Sequence, residues 1–191
     1  MQWILASQSP RRRELFSLFH LPFTVKVADV DETLSQTAGA YAEVARLSRQ
    51  KADAIARSPE DVVIAADTVV VCDGVILGKP KDEKEAVKML TLLSGRDHEV
   101  MTGVTVLYGE KAETFTEVTQ IHFRELSQQE IADYVATGEP MDKAGAYGIQ
   151  GGGALFAEKM VGDYYNVMGL PVCRLWHSIQ KLVPNFREDM Q

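Results

Sequence analysis

The sequence predicts an α/β fold built on one mixed, twisted sheet with flanking helices. Strand-like and helix-like periodicities alternate along the chain, and both tight hairpin turns and helical segments separate the strands. Hairpins make antiparallel neighbours, whereas a helical crossover brings the next strand back in parallel, so their combination requires a mixed sheet. With 191 residues, the length is that of one domain, and we expect a single domain over residues 1–191.

The first half of the chain alternates short strands with helices. Residues 3–6 predict a short buried strand, and Ser9 followed by Pro10 predicts the N-cap and first position of a helix. Apolar residues alternate over 23–27, which is typical of a second strand. Apolar residues at helical spacing then predict an amphipathic helix over about 40–56.

The rest of the chain is organised by turn and cap signals. Asp73-Gly74 and Gly109-Glu110 are turn dipeptides between apolar runs, and Ser127 with Glu130 forms a capping box. In chain order, the remaining predicted elements are hairpin strands 62–71 and 75–77, a helix over 83–93, hairpin strands 98–108 and 113–124, a helix beginning at Ser127, a strand near 154–160 and a helix over 171–182.

Composition and charge narrow the classes of function. The chain carries 20 Lys and Arg against 27 Asp and Glu, and its net charge of −7 disfavours binding to nucleic acid or to an anionic membrane. Cys72 and Cys173 fit no metal or redox spacing, and the four histidines are scattered, so no zinc site is expected. With no long apolar segment, we expect a cytoplasmic protein.

The segment from Ser7 to Arg13 is the first candidate functional motif. Three arginines at the start of a helix oppose the helix dipole, which costs a few tenths of a kcal/mol each, about 0.3–1 kcal/mol at most. Free backbone N–H groups, the hydroxyls of Ser7 and Ser9 and the guanidinium groups would together suit a phosphate chain. From these residues alone, an exposed basic turn is an equal alternative.

Asp67 and Thr68 interrupt an apolar strand, and a desolvated carboxylate requires a partner. Asp67 would suit a general base or a magnesium ligand in phosphoanhydride hydrolysis, although a buried acid that only accepts backbone hydrogen bonds is equally compatible. Asp31-Glu32 follows the second strand and offers a further carboxylate, or else a solvated loop.

Two lysines and a glycine-rich segment complete the candidates. Lys51 lies on a predicted helix, and Lys79 follows a strand in Gly78-Lys79-Pro80; exposed lysines of no function are the usual alternative. Residues 141–153 contain several glycines that allow a close backbone approach to a ligand, together with the Gln150 amide. The segment has neither a Rossmann nor a P-loop spacing, and a flexible surface loop is the alternative.

Taken together, these motifs resemble the Maf family of septum-formation-inhibitor-like nucleotide pyrophosphatases over nearly the whole chain. The matching motifs are residues 5–12, Glu32, Lys51, residues 66–68, residues 78–80, residues 139–151 and residues 169–171. The resemblance implies a two-lobed fold around a central cleft, similar to inosine triphosphate pyrophosphatases, and often a homodimer. It also implies hydrolysis of a nucleoside triphosphate to the monophosphate and pyrophosphate with a divalent cation, Mg²⁺ or Mn²⁺.

The resemblance also implies roles for individual residues. Asp67 falls on the family's proton-acceptor position. The positions that line the phosphate and metal site correspond to Ser7, Arg11, Glu32, Lys51 and Lys79. We expect Glu32 and Asp67 to hold the metal with phosphate oxygens, while Asp67 orients or deprotonates the attacking water.

The resemblance also implies that residues at three further positions select the base of the nucleotide. Arg12, Thr68 and Gln150 match the subgroup that resembles dTTP/UTP pyrophosphatases; the 7-methyl-GTP subgroup carries Trp, Gln and Glu there. An amide can pair with both N3–H and a carbonyl of uracil or thymine. Modified pyrimidine nucleotides are a possible substrate of the same pocket. The alternative from another class is a non-catalytic, nucleotide-binding regulator of cell division.

Overall fold

A computed structural model of the protein describes residues 1–27, 29–33 and 39–190. Strands and α-helices alternate as the sequence predicts. In chain order they are β1 (Trp3–Ala6), α1 (Pro10–Ser17), β2 (Phe23–Val25), α2 (Ala40–Asp53), β3 (Val62–Cys72), β4 (Val75–Leu77), α3 (Glu83–Leu93), β5 (Asp97–Tyr108), β6 (Lys111–Phe123), α4 (Gln128–Ala136), β7 (Ala157–Val161), α5 (Tyr164–Met168) and α6 (Val172–Leu182).

The strands form one seven-stranded mixed sheet, which confirms the predicted fold class. Their order is β2-β1-β3-β5-β6-β7, and β4 pairs with β3. β1 runs parallel to both β2 and β3, with Trp3 opposite Phe23 on one side and Val62 on the other. The two predicted hairpins supply antiparallel neighbours, since β4 returns along β3 from the turn at Asp73-Gly74 and β6 follows β5 after Gly109.

The chain divides into two compact units. The first contains Met1–Asp67, Thr102–Glu117 and Gly169–Gln191, and the second contains Thr68–Met101 and Val118–Met168. β3, β5 and β6 therefore contribute residues to both units. The organisation of residues 1–191 as one domain stays a prediction.

In the first unit, helix α2 packs directly on the sheet. A Cβ atom at Gly103 of β5 would lie 2.2 Å from the carbonyl oxygen of Val44, so only glycine permits this approach. Ala52 at the end of α2 is fully buried in a cluster with Ile4, Val63 and Leu107. This packing fixes the last turn of α2 beside β3, where the functional side chains described below lie.

In the second unit, α3 and α4 cover an aromatic core. Phe123 packs edge-on against His98, Tyr147 and Phe156, at ring-centroid distances of 4.7, 4.7 and 5.9 Å. Tyr147 belongs to the glycine-rich segment, which the alternative interpretation treats as a flexible surface loop. The segment instead forms short 3-10 turns over Glu139–Asp142, Ala144–Ala146 and Gly152–Leu155, with Gly145, Ala146 and Gly153 buried.

None of the helices in the described part of the chain combines the length and apolarity needed to cross a membrane.

Helix α5 and the 3-10 turn Phe186–Asp189 are additions to the predicted elements. Both are single turns, too short for a hydrophobic period to be recognised.

Candidate active site

Asp67 obtains the partner that its burial requires. It lies in the middle of β3, a strand of mostly buried, apolar residues, and 12% of its side chain is exposed. Nζ of Lys51 lies 2.7 Å from its Oδ1 atom, and the Lys51 side chain is also only 12% exposed. A short ion pair at this depth compensates the loss of hydration of both groups.

Glu32 brings a second carboxylate to the same ammonium group. Its Oε1 atom lies 2.9 Å from Nζ of Lys51, although 56% of the Glu32 side chain is exposed. The preceding residue shapes this loop, since Oδ1 of Asp31 accepts hydrogen bonds from the backbone N–H and the hydroxyl of Thr33. Two carboxylates, one from a strand and one from a loop, therefore converge on one lysine of α2.

Arg12 anchors the start of α1 to the backbone near Asp67. Its Nε donates to the carbonyl of Gly169 and its Nη1 to the carbonyl of Ala66, both at 2.8 Å. Burial lowers the pKa of the Arg12 guanidinium, while the negative charge of Asp67 opposes this shift. Arg12 therefore lies within electrostatic reach of Asp67 and is not part of an exposed basic turn.

The hydroxyl groups before α1 organise the loop that carries the arginines. Oγ of Ser7 accepts from the backbone N–H of Ser9 at 3.2 Å and lies 3.4 Å from Nη1 of Arg12. Oγ of Ser9 accepts from the backbone N–H of Arg12, which confirms Ser9 as the N-cap. The first unit thus gathers Ser7, Arg12, Glu32, Lys51 and Asp67, with half-buried Arg11 on the first turn of the helix.

The other predicted site residues, Thr68, Lys79 and Gln150, belong to the second unit. Thr68 follows Asp67 on β3 and is half-buried, whereas Lys79 and Gln150 are exposed. The backbone carbonyl of Gly78 accepts from the N–H of Gly145 at 3.0 Å. This bond joins the segment that carries Lys79 to the glycine-rich segment that carries Gln150.

The residues present are compatible with a divalent cation bound together with substrate. Within residues 1–27, 29–33 and 39–190, no group of three or more His, Cys, Asp and Glu side chains is arranged to hold a metal ion. Glu32 and Asp67 nevertheless converge on one point, and Mg²⁺ commonly takes one or two carboxylates and completes its shell with water and phosphate oxygens.

Some of the groups that shape the site are absent from the sequence-based candidates. The carbonyls of Ala66 and Gly169 are backbone atoms, although the motif at residues 169–171 marks the position of one of them. Tyr134 and Glu139 contact the backbone around Gln150. Glu139 lies in a motif that is recognisable from sequence, whereas Tyr134 looks like any apolar position of an amphipathic helix.

The chain belongs to the Maf family, because residues 2–182 match the family of Maf-like proteins. A dTTP/UTP pyrophosphatase of Bacillus cytotoxicus is 50% identical to it over 181 residues, which are 94% of this chain and 95% of that protein. A dTTP/UTP pyrophosphatase of Bacillus pumilus is 51% identical over 174 residues, 91% of this chain and 92% of that protein.

Among solved structures, the Ham1 protein of Staphylococcus aureus overlaps part of the fold. It is 14% identical in sequence, with a TM-score of 0.43, and the match covers 64% of this chain and 72% of the Ham1 chain.

Proposed function

We propose that this protein is a nucleoside triphosphate pyrophosphatase that hydrolyses dTTP and UTP to the monophosphate and pyrophosphate. The observation that carries the proposal is the convergence of Asp67 and Glu32 on Lys51 in a chain of the Maf family. The names of the Bacillus relatives support the choice of reaction and substrate over a non-catalytic regulator. A regulator that only binds nucleotide has no use for a buried carboxylate at this position.

Asp67 is the group that acts on the attacking water. A carboxylate at this position can orient a water molecule or accept its proton during in-line attack on the α-phosphorus. Lys51 holds this carboxylate in place in the free protein. When the triphosphate binds, Lys51 and Arg11 are cations suited to the negative charge that develops on the transferring group and on the departing pyrophosphate.

The remaining candidates bind the substrate. We assign Ser7 and Lys79 to the triphosphate, Thr68 with Gln150 to the base, and Arg12 to the support of the loop before α1. The Gln150 amide accepts from N3–H of uracil or thymine and donates to a neighbouring carbonyl. The contacts of Arg12 with two carbonyls favour a supporting role for this residue in base selection.

Glu32 and Asp67 would hold Mg²⁺ or Mn²⁺ together with phosphate oxygens. The cation would neutralise phosphate charge and favour ionisation of water in its coordination shell.

We further propose that the chain acts as one domain, in the cytoplasm and as a homodimer, with nucleotides rather than nucleic acids or membranes as its partners. The free thiols of Cys72 and Cys173 are consistent with a reducing compartment.

The test is chromatography of the products from dTTP, UTP, CTP, GTP and pyrimidine triphosphates with modified bases. We expect UMP or dTMP with one equivalent of pyrophosphate, and modified pyrimidines as further substrates if the pocket reads only one base edge. Removing divalent metal with EDTA should abolish turnover, and Mg²⁺ or Mn²⁺ should restore it. Nucleotide binding without turnover would support the regulator instead, and full activity without metal would contradict the cation site.

A further inference from the structure

The turn that carries Gln150 is held on both sides by a single pair of side chains. Two residues before Gln150, the backbone N–H of Gly148 donates to Oη of Tyr134 at 3.0 Å. Two residues after it, the N–H of Gly152 donates to Oε2 of Glu139, also at 3.0 Å. Tyr134 in turn donates its hydroxyl proton to Oε1 of Glu139 at 2.9 Å, which joins the two anchors.

The tyrosine is fixed by its own packing. It comes from α4, which a complete capping box starts at Ser127, and its side chain is buried. Its ring meets Phe156 edge-on at a centroid distance of 5.0 Å. Burial raises the pKa of Tyr134, and the hydrogen bond to Glu139 raises it further, so the hydroxyl keeps its proton and remains a donor.

The carboxylate lies directly against the backbone of the turn. A Cβ atom at Gly151 would come within 2.2 Å of Oε1 of Glu139, and one at Gly148, before Gln150, within 2.9 Å of the same atom. These approaches explain why the segment contains glycines on both sides of Gln150. The backbone on both sides of Gln150 is thus closely packed, while Gln150 itself is exposed.

We propose that Tyr134 and Glu139 are positioning residues for base selection: together they orient the turn so that Gln150 presents its amide to a pyrimidine. This inference rests on the proposed function. A glutamine amide carries both a donor and an acceptor, and after rotation it can pair with cytosine as readily as with uracil. Discrimination between the two bases therefore depends on the position and direction from which the turn presents the amide to the base.

A loosened turn has a defined kinetic signature. UTP and CTP share the same triphosphate and ribose, so a defect in phosphate binding or chemistry lowers kcat/KM for both. A defect in the orientation of Gln150 lowers the ratio of kcat/KM for UTP to that for CTP. Loss of one hydrogen bond of this kind corresponds to a change of about 2–10-fold in that ratio.

The experiment compares Tyr134→Phe, Glu139→Ala and Glu139→Gln with Gln150→Ala and with the double variant Tyr134→Phe/Gln150→Ala. Tyr165→Phe, at an exposed tyrosine of α5, is the matched control. We expect Tyr134→Phe and Glu139→Ala to lower the UTP/CTP ratio. Glu139→Gln should restore part of it, because an amide oxygen still accepts from Gly152. The double variant should have the ratio of Gln150→Ala alone.

The outcomes separate the inference from the proposed function. If Gln150→Ala lowers the ratio and Tyr134→Phe affects both nucleotides equally, the positioning role is wrong and Gln150 remains the base-reading residue. If Gln150→Ala leaves the ratio unchanged, the base-reading assignment itself fails, and the inference falls with it. Circular dichroism and thermal unfolding of each variant identify any that fails to fold. If Tyr134→Phe or Glu139→Ala fails to fold, amide exchange in Glu139→Gln replaces it. An amide oxygen is a weaker acceptor than a carboxylate, so we expect the N–H of Gly152 to exchange faster than in the wild type, and unchanged exchange contradicts the role.

Discussion

The charged cluster around Lys51 and the turn around Gln150 are built in opposite ways. In the first, an ammonium group and two carboxylates hold one another, and one of the carboxylates is 56% exposed. In the second, a side-chain pair holds backbone N–H groups, and close contacts leave room only for glycine. Ionic contacts can exchange partners when a triphosphate arrives, whereas the anchors of the turn are hydrogen bonds to backbone N–H groups. In the proposed function, the first region performs the chemistry and the second selects the base.

Asp67→Asn should have the largest effect on activity. Asparagine keeps the shape of the side chain but loses its basicity and charge, and general-base catalysis commonly contributes about 10²–10⁴-fold. We expect kcat to fall by that order in a folded protein, measured as pyrophosphate release from UTP. Asp53→Asn, at an exposed residue paired with Arg49 on α2, is the matched control. Turnover near that of the wild type in folded Asp67→Asn would remove Asp67 from the mechanism.

His98 gives the second unit a stability that depends on pH. Burial lowers the pKa of His98 to about 4 from 6.5, and its Nε2 lies 2.9 Å from Oη of Tyr147. The unfolded chain therefore binds an extra proton between pH 6.5 and 4. Stability present above pH 6.5 is lost as the pH falls through this window, by about 3 kcal/mol in total.

The measurement is the urea midpoint of unfolding from pH 7 to 4. His98→Phe should flatten this profile whatever its stability at pH 7, and His20→Gln, at an exposed histidine, should leave it unchanged. The lowered pKa of Glu130, about 2, acts mainly below pH 4.5 and so falls outside the window. An equally steep profile in His98→Phe would show that other groups carry the effect.

Gln150→Glu should act on base preference while the charged cluster stays intact. The change removes the amide donor and places a negative charge opposite a carbonyl of uracil or thymine. A mispaired polar group costs about 1–3 kcal/mol, and a charged one more, which lowers kcat/KM for dTTP and UTP by at least about fivefold. Activity on GTP should be unchanged or higher. An equal loss of kcat/KM for dTTP, UTP, CTP and GTP would assign Gln150 to a general role in nucleotide binding.

Gly151→Ala tests whether the close packing of Glu139 against the turn requires glycine. Of these variants, we expect it to have the smallest effect on activity. The added methyl group meets the Glu139 carboxylate, and overpacking of this kind costs about 1–3 kcal/mol of unfolding free energy. Gly78→Ala is the control in the same unit, because a Cβ there would meet nothing within 4 Å. Equal thermal midpoints for the two variants would mean that the turn adapts easily.

The local signals in the sequence predict most of the fold. Caps at Ser9 and Ser127 and turns at Asp73-Gly74 and Gly109-Glu110 depend on neighbouring residues only, and each is present in the structure. The glycine-rich segment is less predictable, since its 3-10 turns depend on Tyr134 and Glu139. A flexible loop and an anchored turn have the same glycine composition.

The candidate site shows the same division between local and distant information. Burial of Asp67 in an apolar strand predicts that a partner exists, but its identity as Lys51 depends on how α2 packs at Gly103. The contacts of Arg12 with the Ala66 and Gly169 carbonyls involve backbone atoms, which leave no residue-type signal. Sequence motifs therefore name most of the participants, and the tertiary fold decides which of them meet.

The most direct test of the division between chemistry and base selection measures kcat/KM for UTP and CTP in wild type, Asp67→Asn and Gln150→Ala. We expect Asp67→Asn to lower both values by the same factor and to leave their ratio unchanged. We expect Gln150→Ala to lower the UTP/CTP ratio. A changed ratio in Asp67→Asn, or an unchanged ratio in Gln150→Ala, would contradict the separation of chemistry from base selection.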